Sequence, residues 1–185
     1  MTFTVLGLSG SLRAASSNTG LIRMAIRLAP AELFIEELTP LDKIPFYNVD
    51  LDTAEALPPI VASMRAKVLA CDALILAAPE YNFGPSGVLK NAIDWLTRPP
   101  GEYALKGKVV AIVGSGGRGG GLKVQAQLNE ILGILGNTII SEPTIGLVLG
   151  ATYVSSDGST TNPEVEELIT ARLAAMVNAL LAAQP

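Results

Sequence analysis

The sequence predicts an α/β chain, a three-layer doubly wound sheet of five parallel strands in the order 2-1-3-4-5. Three observations lead there. Short, wholly apolar runs alternate with longer segments of helical period, each run is punctuated by Gly, Ser or Pro, and the count is five strands against about five helices. Right-handed crossovers turn that alternation into a parallel sheet with helices on both faces.

Residues 3–8 are the first apolar run, and the first helix spans 18–29 and ends before Pro30. AELFIEEL, residues 31–38, reads as the second strand, with Glu32 and Glu36 marking it as more exposed and nearer an edge. After an irregular stretch over 43–56, Pro58 and Pro59 open a helix that reaches residue 70, since proline is tolerated in a first turn. Residues 73–78 form the third strand and 87–96 the next helix. KVVAIVG, 108–114, is a fourth strand that is apolar on both faces. A glycine-rich loop then leads into a helix over 122–135, ended by Gly136-Asn137. Residues 138–140 supply the fifth strand, with a continuation to Leu149 left open, and Pro163 starts a last helix running nearly to Gln184. No repeat, linker or low-complexity tract divides the chain, so one domain over 1–185 is expected.

Composition narrows the function. The 185 residues are 49% hydrophobic and 16% charged, enough for one sizeable core without a disulfide or structural metal. The balance of 13 basic against 17 acidic side chains leaves −4, so no basic field exists to hold nucleic acid. Cys71 is the only cysteine, which excludes an intrachain disulfide and reads as an inert packed thiol. There is no histidine, and so no Ser-His or Cys-His catalytic pair and no usual metal ligand; no metal site is expected. Mean hydropathy is high at +0.42, but Asp72, Asp94, Lys108 and Asn178 interrupt the apolar stretches before spanning length. The opening MTFTVLGLSGS lacks a basic segment followed by an apolar one. A soluble, cytoplasmic protein with no membrane partner is the expectation.

In doubly wound sheets, ligands bind beyond the carboxyl ends of the strands near the switch in strand order. The loops at those ends, 9–18, 80–87 and 114–121, are rich in Gly, Ser, Asn and Pro and are expected to converge on one site. SGSLRAASSN follows a strand and opens a helix, which makes it an anion site. Ser11, Ser16, Ser17 and Asn18 can donate hydrogen bonds and Arg13 can add a charged clamp, a set suited to a terminal phosphate. It is not a Walker loop, since the GK[ST] ending is missing. The plainer alternative is that Ser17 or Asn18 merely caps the helix and Arg13 is solvated. After the third strand, Glu80, Tyr81, Asn82 and Phe83 can line a flat heterocycle. In the helix that follows, Val88, Leu89, Ile93 and Trp95 read as core, and Lys90 and Asp94 as a surface pair at i,i+4 spacing.

GSLRAASSN followed at the expected interval by PEYN and GVLKNAIDW resembles the NADPH-dependent FMN reductase family of the flavodoxin-like fold, which includes quinone, azo-dye and chromate reductases. The similarity runs from the first strand through the loop after strand four. The resemblance implies FMN as cofactor, with Ser11, Arg13, Ser16 and Asn18, neighboured by Ser17, on the phosphate. It also implies that Glu80, Tyr81, Asn82 and Phe83 border the isoalloxazine ring. The family usually shows a Ser and a Pro where this chain has Gly84 and Ser86. Its loop before the helix carrying Gln125 approaches the flavin, so Ser115, Gly116 and Gly117 are expected to give backbone access to the ring.

GSGGRGG also contains a formal G-x-G-x-x-G at Gly114, Gly116 and Gly119. An NAD-binding Rossmann protein, with Glu142 as the ribose acid, is therefore one alternative. Against it, the first strand-to-helix turn already carries an anion site. The other alternative is a flavodoxin-type electron carrier, which such families build with large aromatics over the ring; only 5% of this chain is aromatic. With FMN bound, no side chain need act as a catalytic residue, since hydride chemistry belongs to the flavin N5. NADPH or NADH is then the reductant, and a free flavin, quinone, azo compound or metal oxyanion the small-molecule acceptor. Arg118 and Lys123 read as solvated charge. The apolar end of the last helix is consistent with a buried helix or a subunit contact, and the family's habit implies a homodimer or homotetramer.

Overall fold

The computed structural model describes residues 1–38 and 41–184. In chain order the strands are β1 (Phe3–Ser9), β2 (Leu33–Glu37), β3 (Ala73–Ala77), β4 (Glu80–Tyr81), β5 (Gly84–Pro85), β6 (Val109–Gly116), β7 (Thr138–Ile140) and β8 (Gly146–Val148). The helices are α1 (Ser17–Arg27), α2 (Pro59–Ala70), α3 (Gly87–Leu96), α4 (Leu122–Ile134) and α5 (Pro163–Ala182). The main sheet runs β2-β1-β3-β6-β7, all pairs parallel, which is the expected order 2-1-3-4-5.

Alternation along each strand sends successive side chains to opposite faces, and both faces are covered. Leu6, Leu8, Leu74, Leu76, Val110 and Ile112 pack with Val61, Met64, Trp95 and Leu128 of α2, α3 and α4. Val5, Ala73, Ile75, Val109, Ala111 and Val113 pack on the other face with Leu21, Met24, Ile169, Leu173 and Met176 of α1 and α5. Trp95 is fully buried, and its indole N–H donates to the Pro45 carbonyl at 2.7 Å. Cys71 is buried too, and desolvation pushes its thiol pKa up. Lys90 and Asp94 form the expected i,i+4 ion pair. No helix among the described residues is long and apolar enough to cross a membrane.

The structure corrects the sequence reading at the fifth strand. It does not continue to Leu149: β7 stops at Ile140, and the chain returns as β8 to pair with the upper part of the same neighbour. The β6 backbone meets β7 at 109–111 and β8 at 114–116, so the Ile112 carbonyl falls in the gap. A guanidinium fills it. Arg172, in α5 and only 2% exposed, donates from Nη1 to the carbonyls of Ile112 (2.9 Å) and Ile140 (2.7 Å). Its Nη2 donates to the carbonyls of Ser141 (2.9 Å) and Pro143. Burial lowers the Arg172 pKa to about 10, opposed by the charge of Glu142. Those bonds do for the broken ladder what strand pairing does elsewhere. β2 is also shorter than expected, and the β4–β5 hairpin is too brief to leave an alternating pattern.

Replacing Arg172 by Met should strip four carbonyls of their donor and lower unfolding stability by about 3 kcal/mol, read as a lower urea midpoint. Folded and unfolded pKa values both lie well above neutrality. Because the folded value is the lower one, the unfolded chain binds more protons only above about pH 10. The stability difference between variant and parent should therefore stay flat from about pH 6 to pH 8.

Candidate functional site

The loops after β1, β3 and β6 meet at the carboxyl ends of their strands. Ser16 caps α1, its hydroxyl accepting the Thr19 N–H at 3.2 Å. The remaining first-turn N–H groups sit at the positive end of the helix dipole. Ser11 precedes them, and the exposed Arg13 folds back so that its Nη2 donates to the Ala15 carbonyl at 3.1 Å.

Side-chain hydrogen bonds join every pair of these three loops. Asn18, 4% exposed, accepts the Ser115 N–H at Oδ1 (3.0 Å) and donates from Nδ2 to the Ser115 carbonyl (2.8 Å). The Ser17 and Ser115 hydroxyls share a bond of 2.7 Å. Ser86 links the loop after β3 to the loop after β1: its hydroxyl donates to the Gly10 carbonyl at 2.6 Å and caps α3 by accepting the Leu89 N–H. This close approach requires Gly10, where a Cβ would stand 2.9 Å from both the Ser86 hydroxyl and the Pro79 ring. The loops after β3 and β6 are joined by Glu80, whose carboxylate accepts the Lys123 (3.0 Å) and Val124 (3.3 Å) N–H groups at the start of α4. Gln127 adds a bond from Nε2 to the Phe83 carbonyl at 2.7 Å.

Together the loops enclose a cleft of about 260 Å³ that opens to solvent. Ser11, Arg13, Ser16, Ser17, Asn18, Glu80, Tyr81, Ser115, Gly116 and Gly117 line it, ten of the twelve residues singled out in the sequence. Asn82 and Phe83 do not. They form the tip of the β4–β5 hairpin with φ of 49° and 70°, and the Phe83 ring lies 4.1 Å beneath the Lys123 ammonium. Pro79, Leu149, Ala151 and Thr152 complete the wall. The last three follow β8, a strand end that the position rule reaches only once β8 is known.

The lining divides by what its polar groups already do. The Asn18 amide, the Ser115 backbone and the Glu80 carboxylate are taken up in joining loops. Ser11, Ser16, Arg13 and the α1 terminus keep donors for an incoming oxyanion, which fits a phosphomonoester. A Cβ on Gly117 would meet nothing within 4 Å, so the backbone there is open to the cleft. Tyr81 and Leu149 give apolar surface for a flat ring. The rival dinucleotide reading finds no support in Glu142: its carboxylate accepts from the N–H (3.0 Å) and hydroxyl (3.2 Å) of Thr144, and it does not line the cleft. Gln125 is buried and donates to the Ile145 carbonyl at 2.9 Å, holding β8 rather than facing the cleft.

Comparison with known proteins agrees with the geometry. The family model described as NADPH-dependent FMN reductase matches residues 3–151. The NAD(P)H-dependent FMN reductase of Pseudomonas aeruginosa is 40% identical over 173 residues, covering 93% of this chain and 92% of that protein. An NADPH:quinone oxidoreductase of Arabidopsis thaliana is 40% identical over 145 residues, covering 77% and 73%. Among solved structures, FerB, a flavoenzyme NAD(P)H:(acceptor) oxidoreductase from Paracoccus denitrificans, superposes with a TM-score of 0.86 at 31% identity, covering 98% of both chains. The fold is thus flavodoxin-like, and the chain belongs to the NADPH-dependent FMN reductase family, oxidoreductases that work with FMN and a reduced nicotinamide cofactor.

Proposed function

We propose that the cleft holds FMN by its phosphate at Ser11, Arg13, Ser16 and the α1 terminus, with the ring directed along Tyr81, Gly116 and Gly117. In this reading the chain passes electrons from NAD(P)H to a free flavin or a quinone. Bound FMN would supply the hydride-accepting centre that protein side chains cannot, so the absence of histidine is no obstacle. The protein's part is to neutralise the phosphate, orient the ring through backbone groups and leave one side open. One observation carries the reading: the Ser11 and Ser16 hydroxyls and the Arg13 guanidinium, none of them used to join the loops, gather near the α1 terminus, where a phosphate dianion is best stabilised.

The quinone preference draws on the names of the relatives from Arabidopsis and other organisms. A homo-oligomer fits the exposed apolar side chains Leu12, Phe46 and Tyr81, which line a neighbouring hollow beside Arg13. Asn82 and Phe83 then border the ring only from the hairpin tip. A flavodoxin-type carrier shares the binding chemistry but does not consume NADPH.

Arg13→Ala should weaken FMN binding about 10- to 100-fold, the worth of a charged hydrogen bond, while leaving the melting temperature of the FMN-free protein unchanged. Fluorescence titration with FMN reads the first and thermal unfolding the second. Asn18→Ala should act differently, because it leaves the Ser115 N–H and carbonyl buried without partners. It should cost about 2 kcal/mol of stability as well as flavin affinity. Rapid anaerobic mixing of the FMN-loaded protein with NADPH should bleach the 450 nm band, roughly the flavin maximum, within a turnover time. A band that persists for many minutes identifies the carrier instead.

A further inference from the structure

A second cleft, of about 610 Å³, lies away from the strand ends that hold the first. It is bounded by α2, the segment after the turn at Val49–Leu51 and the connection from α3 to β6, which reaches the amino-terminal end of β6. Its floor is a buried cation. Arg65 is 9% exposed, and its guanidinium sits 5.5 Å from the centre of the Trp95 ring. Nε donates to the Trp95 carbonyl at 3.0 Å and Nη2 to the Asp52 carboxylate at 2.7 Å. Nη1 has no protein partner among the described residues, and Arg65 lines the cleft.

Two features set the ligand class. Leu57, Leu69 and Pro99 make apolar walls, of a size and character that suit a small organic molecule. The charge is the reverse of the chain's own: Arg65, Arg98 and Lys106 face Asp52 and Glu102, three cations against two carboxylates, in a protein of net charge −4. Asp52 is already bound to Arg65 Nη2, so the floor group left for a ligand is the Nη1 donor. A guanidinium edge at the base of an apolar cleft matches a carboxylate carried on a hydrocarbon body.

We propose that this cleft is a separate binding site for a small monocarboxylate with an apolar body, its carboxylate on Arg65 Nη1 and its hydrocarbon against Leu57 and Leu69. The site stands whether or not the first cleft holds flavin.

Trp95 is the only tryptophan, so its indole N–H gives a single, assignable cross-peak beside the Arg65 guanidinium. The experiment titrates the FMN-loaded protein with cyclohexanecarboxylate, and in parallel with the neutral cyclohexanecarboxamide, following that peak in ¹H–¹⁵N spectra. The expected result is a saturable shift with a Kd of about 1 mM or tighter for the carboxylate, and binding at least tenfold weaker for the amide. Arg65→Lys should weaken the carboxylate at least tenfold. Because Arg65 also supports the fold, Leu69→Glu is the second variant: Leu69 is 60% exposed, so the change leaves the core intact while placing a like charge on the wall. It should also weaken binding tenfold or more. No saturable shift, equal binding of the amide, or an unaltered Kd in Leu69→Glu would each overturn the proposal.

Discussion

The architecture of the first cleft depends on one buried amide. Asn18 stands at the start of α1, yet its side chain pairs with both backbone groups of Ser115, 97 residues away at the end of β6. An amide is the smallest side chain that can accept and donate in one plane, so it replaces a backbone neighbour where no strand runs. The bond fixes the distance between the α1 terminus and the open backbone at Gly116 and Gly117. Those two elements would meet opposite ends of one flavin. With Ser86 on Gly10 and Glu80 on α4, the three loops form a closed set in which each is held by the others. The cleft is therefore set by the protein before any ligand arrives, which lowers the ordering cost of binding.

The same use of side chains as backbone partners recurs at the sheet edge. Arg172 occupies the ladder position that β7 and β8 leave vacant, and the buried guanidinium is tolerated because carbonyl oxygens surround it. That edge carries β8, and β8 carries Leu149, Ala151 and Thr152 to the cleft wall. The fourth wall of the site thus rests on a residue in the last helix, beyond the segment that the family model matches.

Much of this was legible in the amino-acid sequence, for physical reasons. Strands buried on both faces must be largely apolar, so β3 stands out as an unbroken run and β1 and β6 as runs broken only by Thr4 and by the serines near their ends. Parallel connections fix where loops gather, and ten of the twelve chosen residues meet in one cleft. What sequence hides is the partner of a polar side chain. Ser17 and Asn18 read as phosphate donors or helix caps and Ser115 as backbone access to the ring, and only the fold shows that their hydrogen bonds run to one another. Ser86, which in the sequence marks only a departure from the pattern of the family it resembles, adds through its hydroxyl the tie to Gly10. The broken fifth strand left one signal, a lone Arg172 amid the apolar run of the last helix, whose role emerges only beside the unpaired Ile112 carbonyl.

The central claim is that the loops are locked together without flavin. Amide hydrogen exchange at Ser115 in the FMN-free protein tests it most directly. If Asn18 holds that N–H as described, exchange should be slow, with a protection free energy close to that of global unfolding. Rapid exchange in the FMN-free protein, becoming slow only when FMN is added, would mean that the ligand assembles the site, and would contradict the account.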